Sequence, residues 1–81
     1  MKLYKLTQET NNDHNTYDAC IVCAESEEDA ISITPNNRIN IETCVEYGWV
    51  PKSEVLCVEI GIANDTQLRG VVLASFNAGL F

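Results

Sequence analysis

Two cysteines three positions apart, Cys20 and Cys23, form the pattern that could most readily carry chemistry. A Cys-x-x-Cys pair is typical of zinc sites and of redox motifs. Here both intervening residues are β-branched, and the surrounding residues alternate as in a strand. Residues three apart in a strand point to opposite faces, so the two sulfurs could not bind one metal ion. Cys44 and Cys57 are too far apart to supply a second pair. We therefore predict no metal site and interpret the four cysteines as reduced, small apolar side chains.

Acid–base and nucleophilic catalysis lack a convincing set of residues. His14 is the only histidine, and it stands in a stretch rich in Asn and Asp with no nucleophile at a recognisable spacing. The three acids at positions 27–29 follow Ser26 and are explained by the start of a helix. Glu59 interrupts an apolar strand, so it either faces solvent or meets a partner group. We therefore expect a protein that is not an enzyme and that uses no cofactor.

Binding of a small anionic ligand is a chemistry that the residues allow. The sequence has no glycine-rich phosphate loop, and the acids at positions 27–29 oppose an anion at the helix start. The candidate ligand-binding residues are bases that could pair with an anion and aromatic rings that could stack on it: Arg38, Tyr47, Trp49, Lys52 and Arg69. These are scattered in one copy, whereas a pocket between copies of a homo-oligomer could collect several. The aromatic pair has a second interpretation, in which it covers the edge of the sheet.

Four segments alternate between apolar and other residues as strands do. Residues 2–8 and 17–24 are joined by a polar loop, which predicts a long hairpin. Residues 54–63 place four aliphatic side chains on one face: Leu56, Val58, Ile60 and Ile62. Residues 71–77 are apolar on both faces, with Val72, Ala74 and Phe76 on one and Val71 and Leu73 on the other. The last pattern predicts either a central strand or a strand that meets a partner.

One short helix is predicted between the second and third of these strands. Ser26 followed by Asp29 is a variant of the capping box. Pro35 disfavours a helical conformation at Thr34, which limits the helix to two or three turns. Residues 36–53 are irregular, with a further short strand possible around Ile39. The predicted fold is α+β: a small antiparallel sheet of four to five strands with one short helix packed on one face, in the order β-β-α-β-β.

Size and charge limit the class of protein. The chain has 81 residues, of which 46% are hydrophobic, and it forms a single domain over residues 1–81. Five basic and 12 acidic residues give a formal net charge of −7, which excludes binding to duplex nucleic acid through its phosphates. The opening residues do not resemble a secretory signal, and no apolar run approaches the roughly 20 residues that span a bilayer. We therefore expect a cytoplasmic protein without membrane contact.

Several stretches of the chain resemble a group of short, uncharacterised phage-encoded proteins. The likeness rests on YDACIVCAESEEDA at positions 17–30, an Ile-x-Pro at 33–35, Trp49, and GVVLASFNAG at 70–79, and it excludes residues 36–47. These motifs are structural in character and assign no catalytic residue. The resemblance implies a phage accessory protein in the cytoplasm of an infected host cell, and such small proteins often counter host antiviral defence.

Two mechanisms suit a protein of this kind. In the first, a homo-oligomeric sponge sequesters a nucleotide immune signal in its pockets. In the second, an acidic inhibitor docks on a host defence enzyme as a mimic of nucleic acid. The sequence favours the sponge, because strands that are apolar on both faces predict self-association. The acids that a mimic would display are concentrated at the helix start, where they have a structural explanation.

Overall fold

The sheet and its helix follow the predicted order of elements. The structure, a computed structural model, describes residues 1–9, 16–36 and 48–77. The elements are β1 (Lys2–Thr7), β2 (Thr16–Ala24), α1 (Glu27–Ile31), β3 (Leu56–Ile62) and β4 (Gly70–Asn77), with a 3₁₀ turn at Lys52–Glu54 before β3. The four strands form one antiparallel sheet in the order β3-β1-β2-β4. The predicted α+β fold, with one short helix on an antiparallel sheet, is confirmed.

One face of the sheet carries the core. Side chains along β1 and β2 alternate between the two faces as predicted. The register pairs Tyr4 with Val22 and Leu6 with Cys20, so these four side chains share one face. The helix packs over this face, which we call the covered face, and contacts β1, β2 and β3. The buried cluster consists of Tyr4, Leu6, Cys20, Val22, Ala24, Ala30 and Trp49. A short amphipathic helix and a hairpin thus share a single small core.

The helix begins where the sequence predicts and ends earlier. Ser26 is the N-cap, and its hydroxyl accepts a hydrogen bond from the backbone N–H of Asp29 at 3.1 Å. The helix has only five residues, fewer than the two or three turns expected. The hydroxyl of Ser32 donates to the carbonyl of Asp29 at 2.6 Å and so competes with continuation of the helix. The chain therefore turns before it reaches Pro35.

A bulge in each edge strand changes the face on which some of its side chains lie. The register of β4 against β2 shifts between Ile21 and Val22, which leaves Val72 as an extra residue. Val71 therefore lies on the covered face, opposite Val22, and the predicted grouping of Val71 with Leu73 is wrong. A second shift in β1 against β3 interrupts the predicted row of four aliphatic residues near Ile60. Strict alternation fails at both places because a bulge inserts one residue into the pattern.

The other side of the sheet, which we call the open face, carries exposed aliphatic residues. Leu56 and Val58 lie opposite Thr7 and Lys5 of β1, on the side away from the helix. Val58 is 60% exposed and Leu73 of β4 is 67% exposed. Within the described strands β4 lies at the edge of the sheet, because it pairs with β2 alone, so the prediction that it could be a central strand is wrong. The expected strand around Ile39 lies outside the described residues.

A glycine attaches the segment before β3 to the hairpin. Gly48 has φ 84°, a left-handed conformation that favours glycine. Its carbonyl accepts hydrogen bonds from the backbone N–H of Tyr17 at 3.0 Å and from Nε2 of Gln8 at 2.9 Å. Gln8 is 4% exposed, so these bonds are made inside the protein. This attachment directs the next residue, Trp49, into the core.

Candidate functional site

A cavity of about 460 Å³ opens between the end of α1 and the start of β4. Residues 32–35 form one wall and residues 69–71 form the other. The first wall exists because the helix ends early and Pro35 disfavours a helical conformation at Thr34. The second exists because Gly70, with φ 132°, turns the chain into β4. Polar groups of Ser32, Thr34 and Arg69 and apolar groups of Ile33 and Val71 thus share one concave surface.

An ion pair fixes Arg69, the one charged side chain among the described residues of the cavity wall. Nε of Arg69 donates to both carboxylate oxygens of Asp29 at 2.9 and 3.0 Å, and Nη2 donates to Oδ1 at 2.6 Å. Nη2 also lies 3.4 Å from the hydroxyl of Ser32. The Arg69 side chain remains 49% exposed. This bidentate geometry holds the guanidinium plane in place and leaves part of it open to the cavity.

The ion pair and the helix start share one carboxylate. Oδ2 of Asp29 also accepts a hydrogen bond from the backbone N–H of Glu25 at 3.1 Å. The Arg69 hydrogen bond, followed by that of Glu25, lowers the pKa of Asp29 below its ordinary value of 3.8. The same pair raises the pKa of Arg69. Asp29 therefore stays charged at neutral pH, and it neutralises much of the positive charge that Arg69 brings to the cavity.

The three predicted ligand-binding residues that the structure describes do not converge on one place. Arg69 lines the cavity. Lys52 is exposed in the 3₁₀ turn and is not part of the cavity wall. Trp49 has no exposed surface and lies in the core, so its ring is not a wall of a surface site. Its burial favours the structural interpretation of this aromatic residue over stacking on a ligand. Arg38 and Tyr47 lie outside the described residues.

The cysteines are placed as the strand pattern predicts. Cys20 lies opposite Leu6 on the covered face, and Cys23 lies opposite Leu3 on the open face. Cys20, Cys23 and Cys57 are free thiols. Burial raises the pKa of Cys20 to about 12 and also raises the pKa of Cys57. These two thiols are therefore protonated at neutral pH and are poor nucleophiles. Cys44 lies outside the described residues.

Glu59 has a partner within the chain. Its carboxylate forms an ion pair with Nζ of Lys2 at 3.0 Å, with both side chains about half exposed. The ion pair with Lys2 is sufficient to explain an acidic residue on an otherwise apolar strand. Within residues 1–9, 16–36 and 48–77, no group of three or more His, Cys, Asp or Glu side chains is arranged to hold a metal ion.

The cavity includes residues that local patterns could not identify. Ser32 and Thr34 belong to no recognisable motif, and the helix start alone is sufficient to explain an acid at Asp29. The cavity depends on the contact between Asp29 and Arg69, which are 40 positions apart, and the sequence gives no periodic signal for such a contact.

In the part of the chain that the structure describes, no helix has the length and apolar character to cross a membrane. Comparisons with protein-family models, curated proteins and solved structures find no match to this chain.

Proposed function

We propose that this chain is a non-enzymatic phage accessory protein that counters host antiviral defence as a homo-oligomeric sponge for a nucleotide signal. The observation that supports ligand binding most directly is the cavity between α1 and β4, with the guanidinium of Arg69 on its wall. Its volume of about 460 Å³ falls in the range of roughly 300–1,000 Å³ that is usual for small-molecule sites. The phage context comes from the sequence resemblance alone.

The cavity wall offers donors for an anionic group together with apolar surface for a base or sugar. Arg69 uses Nε and Nη2 for Asp29, and a guanidinium has five N–H donors in all. A phosphate could accept from the remaining donors and from the hydroxyl of Ser32. Ile33 and Val71 supply apolar contact on either side. Because Asp29 already compensates the charge of Arg69, we expect one such cavity to bind a nucleotide weakly, in the micromolar range or above.

Weak single sites are compatible with sequestration when several copies assemble. The exposed aliphatic residues of the edge strands, Val58 and Leu73 among them, favour association with further apolar surface. An assembly places several cavities in one particle and raises the local concentration of sites. Sequestration also requires no chemical step, in keeping with protonated thiols at Cys20 and Cys57.

Calorimetric titration with a panel of mononucleotides and cyclic oligonucleotides tests this function. We expect at least one ligand to bind the natural chain and to be recovered unchanged. Arg69→Gln should weaken that binding at least tenfold, because it removes the charged donors from the wall. Lys52→Gln is the matched control, since it also removes one exposed base but lies away from the cavity. Equal losses in both variants would show that overall charge, and not the cavity, governs binding.

The acidic helix start supports a second candidate function, the inhibitor that docks on a host defence enzyme. Glu25, Glu27 and Glu28 are exposed, and within the described residues no base forms an ion pair with them. They therefore present negative charge to solvent at the helix start, as docking on a cationic surface requires. This candidate predicts a complex that dissociates with rising salt and that Glu27→Gln with Glu28→Gln weakens, whereas Arg69→Gln leaves it intact.

A further inference from the structure

Strand β4 is the least covered element of the described structure. Among residues 1–9, 16–36 and 48–77 it forms an outer edge of the sheet and pairs with β2 alone. The helix packs over β1, β2 and β3 and covers β4 less than these three strands. Every residue from 71 to 76 is exposed, including Leu73 at 67% and Phe76 at 49%. In the part of the chain that the structure describes, residues 71–76 of β4 are therefore exposed and the outer edge of this strand has no partner.

Charge distinguishes β4 from the other three strands. β1 carries Lys2 and Lys5, β2 carries Asp18, and β3 carries Glu59, whereas β4 has no charged residue. Natural sheets commonly protect their edges with charges, proline, bulges or very short strands, and of these β4 has only the bulge at Val72. The other edge, β3, has its Glu59 paired to Lys2. An edge without charge or proline is suited to pairing with another strand.

A second copy of β4 is the occupant that fits this edge. The chain has a net charge of −7, so two copies repel one another over most of their surfaces. Antiparallel pairing of two β4 strands brings together only uncharged side chains. Packing through the open faces instead would bury Lys5, which stands between Val58 and Ile21 on the central part of that face. Burial of two lysines without partners is costly, which favours the edge over the face.

We propose that two copies of this chain pair through β4, antiparallel and about a two-fold axis near Ala74, to form one continuous eight-stranded sheet. The inference rests on the self-association in the proposed function and names the surface responsible for it. Antiparallel pairing brings the end of one β4 close to the start of the other. The cavity of each copy includes Gly70 and Val71 at the start of β4, so it lies beside the partner's strand.

Sedimentation equilibrium of matched lysine variants tests the interface. The natural chain should associate from 9.0 kDa to a dimer, with a dissociation constant in the micromolar range typical of small interfaces. Ala74→Lys should weaken the dimer at least about fivefold, because it places like charges opposite each other across the axis. Val58→Lys adds the same charge at an exposed position of the other edge strand and should leave the dimer unchanged. Loss of the dimer in Val58→Lys with retention in Ala74→Lys would overturn the proposal in favour of the open face.

A mixture of two variants with opposite charges at position 74 distinguishes loss of the interface from misfolding. At a concentration near the dissociation constant of the natural dimer, Ala74→Lys and Ala74→Glu should each be largely monomeric, and their equimolar mixture should recover the dimer. Failure of the mixture to associate would contradict the two-fold axis near Ala74, and a natural chain that stays monomeric at several hundred micromolar would overturn the interface altogether. Nucleotide binding that persists in the monomeric Ala74→Lys variant would separate the interface from the ligand site, so either can fail alone.

Discussion

Asp29 accepts hydrogen bonds from two nitrogens of Arg69 although the two residues are 40 positions apart. One carboxylate thereby joins the start of α1 to the residue that precedes β4, on the rim of the cavity. The pair is partly exposed, so its contribution to folding is modest, about 0.2–1 kcal/mol in comparable surface pairs. Its larger consequence is positional, because it holds the guanidinium against the cavity wall.

The ion pair predicts how stability depends on pH. The pKa of Asp29 is lower in the folded protein than its ordinary value of 3.8, so folded Asp29 binds its proton less readily than unfolded Asp29. Its contribution is therefore fully present above pH of about 4 and is lost as the pH falls through the lowered folded value. Urea unfolding at pH 7 and pH 2.5 should show a smaller acid-induced loss for Asp29→Asn than for the natural chain. An identical loss in both proteins would contradict this assignment.

The same carboxylate should limit the affinity of the cavity for anions. Asp29→Asn removes the charge that compensates Arg69 but keeps a side-chain oxygen that can accept a hydrogen bond from the guanidinium. We therefore expect a bound nucleotide to gain about two- to fivefold in affinity, the amount typical of a screened surface charge. Calorimetric titration of the natural chain and the variant measures the change. Glu28→Gln is the control, because it removes an exposed acid of the same helix that has no contact with Arg69 among the described bonds. Equal gains in the two variants would indicate a general effect of net charge.

Substitution of Gly48 should destabilise the folded protein because of its backbone conformation. Its φ of 84° costs a residue with a Cβ about 1–2 kcal/mol, so Gly48→Ala should lower the free energy of unfolding by that amount. Gly61 in β3 is the matched control, because an added Cβ meets no atom within 4 Å and its φ is not positive. Gly61→Ala should be neutral or stabilising by about 0.5 kcal/mol. Equal destabilisation of both variants in urea unfolding would show that the positive φ is not the cause.

Trp49 offers a direct probe of the core, because it is the only tryptophan in the chain. Its complete burial predicts weak quenching by acrylamide in the folded protein and several-fold stronger quenching after unfolding in urea. Saturation with a ligand should leave the quenching nearly unchanged, since the ring is not on the cavity wall. Strong quenching of the folded protein, or protection by a ligand, would place Trp49 at a surface site instead.

The hairpin and the helix start could be predicted because their signals are local. Tyr4 and Leu6 alternate with polar residues, and Ser26 with Asp29 marks a cap, so each feature depends on neighbours a few positions away. The open face could not be predicted in the same way. Alternation shows that Leu56 and Val58 share a face, but it does not show whether that face meets the helix.

The candidate site was only partly predictable for a related reason. Arg69 was identified by its charge, whereas its partner Asp29 was already explained by the helix start. The cavity arises from an early helix end at Ser32 and the turn at Gly70, and both are deviations from regular structure. Periodicity describes regular elements, so it gives no signal where they are interrupted. Burial of Trp49 likewise depends on the hydrogen bonds of Gly48 to residues distant in sequence.

Native mass spectrometry measures most directly whether the cavity retains a nucleotide signal. The protein is incubated with the low-molecular-mass fraction of infected-cell extract, desalted and analysed without denaturation. We expect an added mass on the natural chain that tandem fragmentation identifies as a nucleotide, that Lys52→Gln retains and that Arg69→Gln loses. A natural chain that carries no added mass, or an Arg69→Gln variant that carries the same nucleotide to the same extent, would contradict the proposed function.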